Sequence, residues 1–193
     1  MLLVLAVSNA AGATTIDFEE LVGSPNIPDD SGPIISQGFE FIVPGGTSGG
    51  FGISYNDEGF PGNTGNYLTW VPLFSGSGTL EITTSSGNNF NLQASDFGFA
   101  APDINPGYAI YGYYEDGSSI SAIALGNGVD SWLTTSLDSG WSDLVRVEII
   151  GCQACLFGMA IDNVVVTAVP IPGAVWLFLS GLAALGWVKR QAT

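Results

Sequence analysis

Short runs of alternating apolar and polar residues, separated by glycine and proline, fill the chain between Thr14 and Ala168. Every second residue is apolar in the runs around Phe39, Leu80 and Val147, a pattern typical of strands with one buried face. No window shows an apolar stripe with a period of 3.6 residues. The predicted strands are 15–19, 38–43, 79–84, 96–100, 108–115, 118–125, 143–150 and 157–167. This pattern predicts an all-β domain built as an antiparallel two-sheet sandwich.

Two sequence signals place the turns of this domain. Asp116-Gly117 lies between two predicted strands and favours a tight hairpin. The glycine-rich stretch 44–66 predicts long surface loops. We find no internal repeat and no internal domain boundary, so residues 14–168 form one domain of a length that supports a substantial core.

A different pattern begins after the domain. From Ile171 to Val188 the chain has 18 uncharged, mostly apolar residues, followed at once by Lys189 and Arg190. This is about the minimum length of a helix that spans a bilayer. The two basic residues predict that the end of the chain stays in the cytoplasm and that everything before the helix is exported.

The order of parts at this end resembles the PEP-CTERM sorting signal of Gram-negative bacteria, in the variant with an apolar second position. The residues that carry the resemblance are Val169, Pro170, Ile171, Pro172, Trp176, Leu177, Phe178, Ser180, Gly181, Leu182, Lys189 and Arg190. Ile171 stands where the usual form has Glu, which leaves the subtype of the processing enzyme open. The resemblance implies that residues 169–193 are recognised at the inner membrane by an exosortase. An ordinary C-terminal membrane anchor is the alternative.

The first 13 residues agree with export. An apolar run from Met1 to Val7 precedes an A-x-A site formed by Ala11 and Ala13, which predicts a signal peptide at 1–13. No basic residue precedes the run, so we expect the true start of translation to lie further upstream. A buried first strand is the alternative.

The amino-acid composition of the domain excludes several classes of partner and of catalytic site. The chain has a formal charge of −15, and Arg146 is the one basic residue between Thr14 and Ala168, where all 18 acidic residues lie. Such a surface repels nucleic acid and anionic lipid and attracts divalent cations. The absence of histidine excludes His-dependent catalytic triads and imidazole metal sites. A glycosidase carboxylate pair is possible chemically, but the adjacent acids lie in predicted loops and turns.

The two ends of the domain carry a second resemblance. The segments I-D-F-E at 16–19 and A-I-D-N-V-V-V at 160–166 look like the jelly-roll sandwiches of carbohydrate-binding modules and other exported bacterial proteins. The resemblance implies that the first and last strands lie side by side and that Glu19 and Asp162 share a structural calcium. Calcium also suits a carboxylate in a strand that is apolar on both faces. The alternative is that Asp162 accepts backbone hydrogen bonds.

Cysteine and aromatic residues supply the remaining candidates. Cys152 and Cys155 predict a small structural disulfide in an oxidising compartment, because a redox or zinc site lacks its other requirements. Trp70, Tyr111 and Tyr113 are candidates for stacking on sugar rings. Tyr111 and Tyr113 share one face of a strand, with Ile110 and Tyr114 on the other, so we expect at least one of these pairs to be buried.

These observations predict an exported, non-catalytic protein of the bacterial cell surface or extracellular matrix. The resemblance to exosortase substrates implies an association with exopolysaccharide and biofilm. A glycan-binding module is the alternative function, and a carbohydrate-active enzyme is the third.

Overall fold

The computed structural model describes residues 12–21, 32–44, 51–55, 63, 65–70, 79–99, 107–125, 131–151 and 159–169. Within these ranges the chain forms twelve β-strands and one turn of 3₁₀ helix. In chain order they are β1 (Thr14–Ile16), the 3₁₀ helix (Glu19–Leu21), β2 (Ile34–Ser36), β3 (Phe39–Ile42), β4 (Phe51–Tyr55), β5 (Asn66–Trp70), β6 (Thr79–Thr84), β7 (Phe90–Phe99), β8 (Gly107–Tyr113), β9 (Ser119–Leu125), β10 (Ser131–Ser136), β11 (Arg146–Ile150) and β12 (Met159–Ala168).

The strands form two six-stranded sheets in which every pairing is antiparallel. Sheet A has the order β10-β7-β12-β5-β4, with β1 added beside β12. Sheet B has the order β2-β3-β6-β11-β8-β9. The predicted all-β, two-sheet sandwich is therefore confirmed.

Strand β12 lies at the centre of sheet A. It pairs with β7 along most of its length, while β5 pairs with Met159–Ile161 and β1 pairs with its second half. Thr14 lies opposite Val166 and Ile16 lies opposite Val164. The first and last strands of the domain thus lie side by side, as the resemblance to jelly-roll sandwiches implied.

Apolar side chains from the two sheets meet in the main core, and a smaller buried cluster of Tyr67 and Ala160 packs with Trp132. Sheet B contributes the inward residues of its alternating strands, such as Phe41, Ile82 and Val147. Sheet A contributes residues such as Phe97 and Ile161. Each of these side chains is almost fully removed from water, which is the main driving force for packing the two sheets together.

The alternation that defines the strands of sheet B is interrupted in sheet A. The register between β12 and β7 shifts between Asp162 and Val165 and again between Val165 and Val166. Asn163 has a φ of 48° at this bulge, a left-handed conformation that asparagine tolerates better than most residues. The bulge changes the phase of β12, so that Ile161 and Val164 both face the core.

The observed strands correct part of the sequence prediction. The hairpin at Asp116-Gly117 is confirmed, since it joins β8 to β9 and Gly117 has a φ of 83°. The stretch 44–66 is not all loop, because β4 lies inside it and β5 begins at its end. Strands β2 and β10 were also not predicted. Strand β2 has only three residues, and the described side chains of β10 are partly or fully exposed, so neither strand has a clear apolar alternation.

Several predicted features fall outside the described residues. These are nearly all of the signal peptide at 1–13, including Ala11; Cys152 and Cys155; and the sorting signal after Val169, including Pro170, Ile171, Pro172, the predicted helix 171–188, Lys189 and Arg190. Each of them stays a prediction. Ala13 is exposed, and the Val169 amide donates to the Asn89 carbonyl at 2.9 Å.

Among the described residues, no helix has the length and apolar character needed to cross a bilayer.

Candidate functional site

The outer face of sheet B brings aromatic and charged side chains together. Glu148 on β11 lies opposite Glu81 on β6 and opposite Tyr111 on β8. Arg146, two residues earlier on β11, lies opposite Tyr113. We call these five residues, Glu81, Tyr111, Tyr113, Arg146 and Glu148, the tyrosine face.

Successive side chains of β8 point to opposite faces of sheet B, so both tyrosines point outward. Tyr108, Ile110 and Gly112 face the core, while Tyr111 and Tyr113 are partly exposed. The prediction of a buried face holds for Ile110, whereas Tyr114 on the same face is only partly buried.

A network of short contacts fixes the position of Tyr113. Its hydroxyl donates to Glu148 Oε2 at 2.7 Å, and the Arg146 guanidinium lies over its ring, 4.3 Å from the centroid. The hydrogen bond to Glu148 raises the pKa of the Tyr113 phenol above its ordinary value, and burial adds to this shift. Tyr113 therefore keeps its proton at neutral pH and acts as a donor, with one side of its ring covered by a cation.

Arg146 also joins the two carboxylates of the tyrosine face. Its Nη1 lies 3.5 Å from Glu81 and its Nη2 lies 3.2 Å from Glu148. The side chains of Arg146, Glu81 and Glu148 are 39%, 23% and 20% exposed, so water weakens each ion pair. The arrangement leaves one more negative than positive charge on the tyrosine face.

An apolar margin borders the tyrosine face. Ala109 on β8 lies opposite Ile150 on one side and opposite Ile123 on the other, and Gly107 lies opposite Leu125. Ile123 and Leu125 are 67% and 68% exposed. The small outward residues Ala109 and Gly107 thus continue the tyrosine face into an apolar margin, in which the Leu125 side chain lies over Gly107.

Trp70 does not belong to this surface. Its side chain is fully buried in the core, with its ring centroid 6.1 Å from that of Tyr108. The prediction that Trp70 stacks on sugars is wrong, because a ring without exposed surface has no face to offer. Tyr111 and Tyr113 lie together on an open face, whereas Trp70 packs between the sheets.

Asp162 and Glu19 both contact the chain segment around Asn63 and Asn66. Asp162 is buried and accepts from Asn63 Nδ2 at 2.8 Å and from the Asn163 amide at 2.7 Å. Glu19 Oε1 accepts from the Asn66 amide at 2.8 Å. The two carboxylates therefore secure the same segment through hydrogen bonds.

The donor set at Asp162 does not fit a calcium ion. Calcium needs six to eight oxygen ligands, but here N–H groups occupy both carboxylate oxygens of Asp162. The described residues contain no group of three or more Cys, Asp or Glu side chains that could hold a metal. The calcium prediction finds no support here, and the hydrogen-bonded alternative describes what the geometry shows.

Burial sets the protonation of Asp162. Desolvation raises the pKa of this carboxyl to about 6, and the hydrogen bonds from Asn63 and Asn163 offset only part of that effect. The negative charges of Asp96 and Asp17 raise it further.

Sequence reasoning missed Glu81, Arg146 and Glu148 as members of a site. The alternation of β6 and β11 predicts that all three point away from the core. It does not predict that β6, β11 and β8 are neighbours, since strand order depends on contacts between distant parts of the chain.

Comparison with known proteins gives a likeness in fold. No protein family matches the sequence, and no curated protein matches it. Among solved structures, a family 29 carbohydrate-binding module is 15% identical, with a TM-score of 0.48 over 82% of this chain and 88% of that chain.

Two other solved structures are more distant. The family 32 carbohydrate-binding module of NanJ from C. perfringens, in complex with galactose, is 12% identical, with a TM-score of 0.41 over 80% of this chain and 98% of that chain. The tandem family 22 modules of Xyn10C from Paenibacillus barcinonensis are 10% identical, with a TM-score of 0.40 over 86% of this chain and 48% of theirs. A likeness at this level says nothing about a ligand of this chain.

Proposed function

We propose that this chain is a non-catalytic glycan-binding protein and that the tyrosine face is its binding surface. The observation that carries the proposal is the pair Tyr111 and Tyr113, side by side on an outward sheet face with Glu148 within hydrogen-bonding reach. Aromatic rings cover the apolar face of a sugar at little entropic cost. Carboxylates beside them accept hydrogen bonds from sugar hydroxyls and fix the orientation of the ring.

The apolar margin along β8 extends this surface beyond a single sugar ring. Ala109 and Gly107 continue the outward row that begins at Tyr113, and the exposed side chains of Ile123 and Leu125 border them. A row of four outward positions on a strand spans roughly 20 Å. The surface therefore suits a chain of several sugars better than a monosaccharide.

Binding measurements on the full-length chain test this proposal. We expect Tyr111→Ala and Tyr113→Ala each to weaken binding to a soluble oligosaccharide by about fivefold to tenfold, through loss of one stacking ring. Trp132→Ala, which removes an aromatic side chain from sheet A, is the matched control and should leave binding unchanged. Thermal melting must show that all three variants fold.

The proposal is refuted if no oligosaccharide in a panel of neutral, cationic and anionic hexamers binds. Unchanged binding in both tyrosine variants, with a loss in Trp132→Ala, would instead move the site to sheet A.

A glycosidase is the weaker candidate. A general acid needs a raised pKa, and Asp162 has one, with Asp96 directly opposite it on β7. The Asp162 side chain is buried, however, and amide donors occupy both of its oxygens. An acid in this position cannot reach a glycosidic oxygen, so binding without hydrolysis is the proposed activity.

We further propose that the protein acts outside the cytoplasm, as the predicted signal peptide and sorting signal imply. Intact-mass analysis of the protein from its native host tests this part. A mass that retains both termini would refute processing by a signal peptidase and an exosortase.

A further inference from the structure

On the outer face of sheet B, two negatively charged side chains lie opposite each other on neighbouring strands. Glu81 and Glu148 lie directly opposite each other on β6 and β11. Like charges in this position destabilise a sheet. Arg146 bridges both carboxylates, and Glu40 on β3 adds a third carboxylate to the same outward face, opposite Thr83. The guanidinium of Arg146 therefore pairs with two of the three acids on this face.

From this arrangement we infer that the tyrosine face takes a polysaccharide of amino sugars with free ammonium groups. The inference rests on the proposed function, since the tyrosine rings make this face a binding surface and the charges decide which glycan it takes. An ammonium group bound near Glu81 would relieve the repulsion between Glu81 and Glu148. It would form charge-assisted hydrogen bonds while the sugar ring stacks on Tyr111.

The geometry of Tyr113 shows that this face holds a cation against an aromatic ring. The Arg146 guanidinium lies 4.3 Å from the centre of the Tyr113 ring, within the range of a cation–π contact. Tyr111, two residues before Tyr113 on β8, also faces outward and lies opposite Glu148. The ring of Tyr111 and the carboxylates beside it thus offer a sugar cation the same chemistry.

An anionic polysaccharide meets the opposite conditions. Arg146 is the one basic residue between Thr14 and Ala168, and Glu81 and Glu148 already bind it. A uronate carboxylate would have to displace one of them inside the field of a chain with a formal charge of −15. We therefore expect acidic glycans to be excluded.

Calorimetric titration of the full-length chain with three hexamers tests the inference. The probes are the hexamers of glucosamine, N-acetylglucosamine and galacturonate, in mildly acidic buffer of low ionic strength. We expect the glucosamine hexamer to bind tightest, the acetylated hexamer more weakly and the galacturonate hexamer not at all. Added salt should reduce the advantage of glucosamine over its acetylated form, because exposed charges are screened over about 10 Å at 0.1 M salt.

Matched variants separate the site from the diffuse charge of the protein. Glu81→Gln removes one carboxylate of the tyrosine face, and Asp138→Asn removes one exposed carboxylate outside it. We expect Glu81→Gln to weaken glucosamine binding by about twofold to fivefold and Asp138→Asn to leave it unchanged. Equal effects of the two variants, with no effect of Tyr111→Ala, would overturn the inference, since binding would then follow total charge.

The outcomes distinguish this inference from the proposed function. If the acetylated hexamer binds as tightly as glucosamine and Tyr111→Ala weakens both, glycan binding stands and the ammonium preference is wrong. Binding of the galacturonate hexamer would also overturn the preference alone. If none of the hexamers binds, the proposed function fails and the inference fails with it.

Discussion

Asp162 and Asp96 lie directly opposite each other on β12 and β7, and Asn163 at the bulge of β12 joins them. The Asn163 amide donates to Asp162 at 2.7 Å, and its Nδ2 donates to Asp96 Oδ2 at 2.9 Å. Like charges in opposed positions destabilise a sheet. The left-handed backbone of Asn163 places two donors between the two carboxyl groups and so reduces this cost.

This pair predicts a pH dependence of stability. The pKa of Asp162 is raised from 3.8 to about 6 in the folded chain, so the folded state binds its proton more tightly than the unfolded state. The stabilising contribution is complete below the unfolded pKa of 3.8 and is lost as pH rises through about 6. We expect the melting temperature of the wild type, relative to Asp162→Asn, to fall by on the order of 5 °C across this window.

The comparison between variants isolates Asp162 from the other acids, since they titrate in both proteins. Asp138→Asn, which removes an exposed carboxyl away from this pair, is the control for the loss of one negative charge. Parallel melting curves for Asp162→Asn and the wild type from pH 3.8 to about 6 would contradict the raised pKa.

Calcium supplies a separate test of the same region. Because amide donors occupy both oxygens of Asp162, we expect neither calcium nor a chelator to change the melting temperature measurably. A rise with calcium that Asp162→Asn abolishes would show that Asn63 and Asn163 rearrange to admit the ion.

Tyr108 crosses the core and completes hydrogen bonds of the opposite sheet. Its hydroxyl donates to the Gly98 carbonyl at 2.5 Å and accepts from the Ala160 amide at 3.1 Å, both buried. We expect Tyr108→Phe to cost about 1–3 kcal/mol, since both partners lose this hydrogen bond away from water. Urea unfolding measures this cost.

Tyr114→Phe is the matched control for Tyr108→Phe. The Tyr114 hydroxyl also donates to one backbone carbonyl, that of Gly140, at 2.5 Å, but the side chain is only partly buried. Tyr114→Phe should cost less stability than Tyr108→Phe, because water can donate to the Gly140 carbonyl in place of the tyrosine hydroxyl. Equal stability losses in the two variants would contradict the account of Tyr108.

The alternation of apolar residues predicted five of the six described strands of sheet B, all except β2, for a physical reason. Strand β6 was predicted at 79–84 and observed at Thr79–Thr84, because the apolar Leu80 and Ile82 are buried while Glu81 between them is partly exposed. Sheet A breaks this rule. In β5 both Tyr67 and Leu68 are fully buried, so two successive residues lose contact with water and no alternation survives. The bulge at Asn163 adds a change of phase that composition does not reveal.

The candidate site was predictable only in part. The two-residue spacing of Tyr111 and Tyr113 places them on one face from sequence alone. Glu148 lies 35 residues after Tyr113 in the chain, and Glu81 lies 30 residues before Tyr111. Only the order of strands in sheet B brings these four residues onto one surface. Trp70 misled the prediction because a tryptophan has the same sequence signature whether it stacks on a ligand or fills a core.

Gly112 provides the room for the core beneath the tyrosine face. A methyl group there would lie 3.0 Å from Leu144 and 3.1 Å from both Ile120 and Trp141. Leu144 and Trp141 are buried and have little space to move. We expect Gly112→Ala to destabilise the fold by about 1–3 kcal/mol in urea unfolding.

Gly107→Ala is the control for Gly112→Ala on the same strand. Its methyl group would point to the outer face, 3.2 Å from the exposed end of Leu125, which can shift. We expect little change in stability. A loss as large as that of Gly112→Ala would show that the two faces of β8 are not packed as differently as the structure places them.

Arg146 should stabilise sheet B by screening Glu81 from Glu148. Removing the guanidinium with Arg146→Met keeps most of the side chain but leaves the two carboxylates opposed without a bridge. We expect a loss of about 0.5–1 kcal/mol at low salt, because the ion pairs are partly exposed. High salt should reduce the loss, and adding Glu81→Gln to Arg146→Met should recover much of it. If the single and double variants unfold at the same urea concentration at low salt, repulsion between Glu81 and Glu148 does not contribute, and loss of the guanidinium from the face of the Tyr113 ring accounts for the effect.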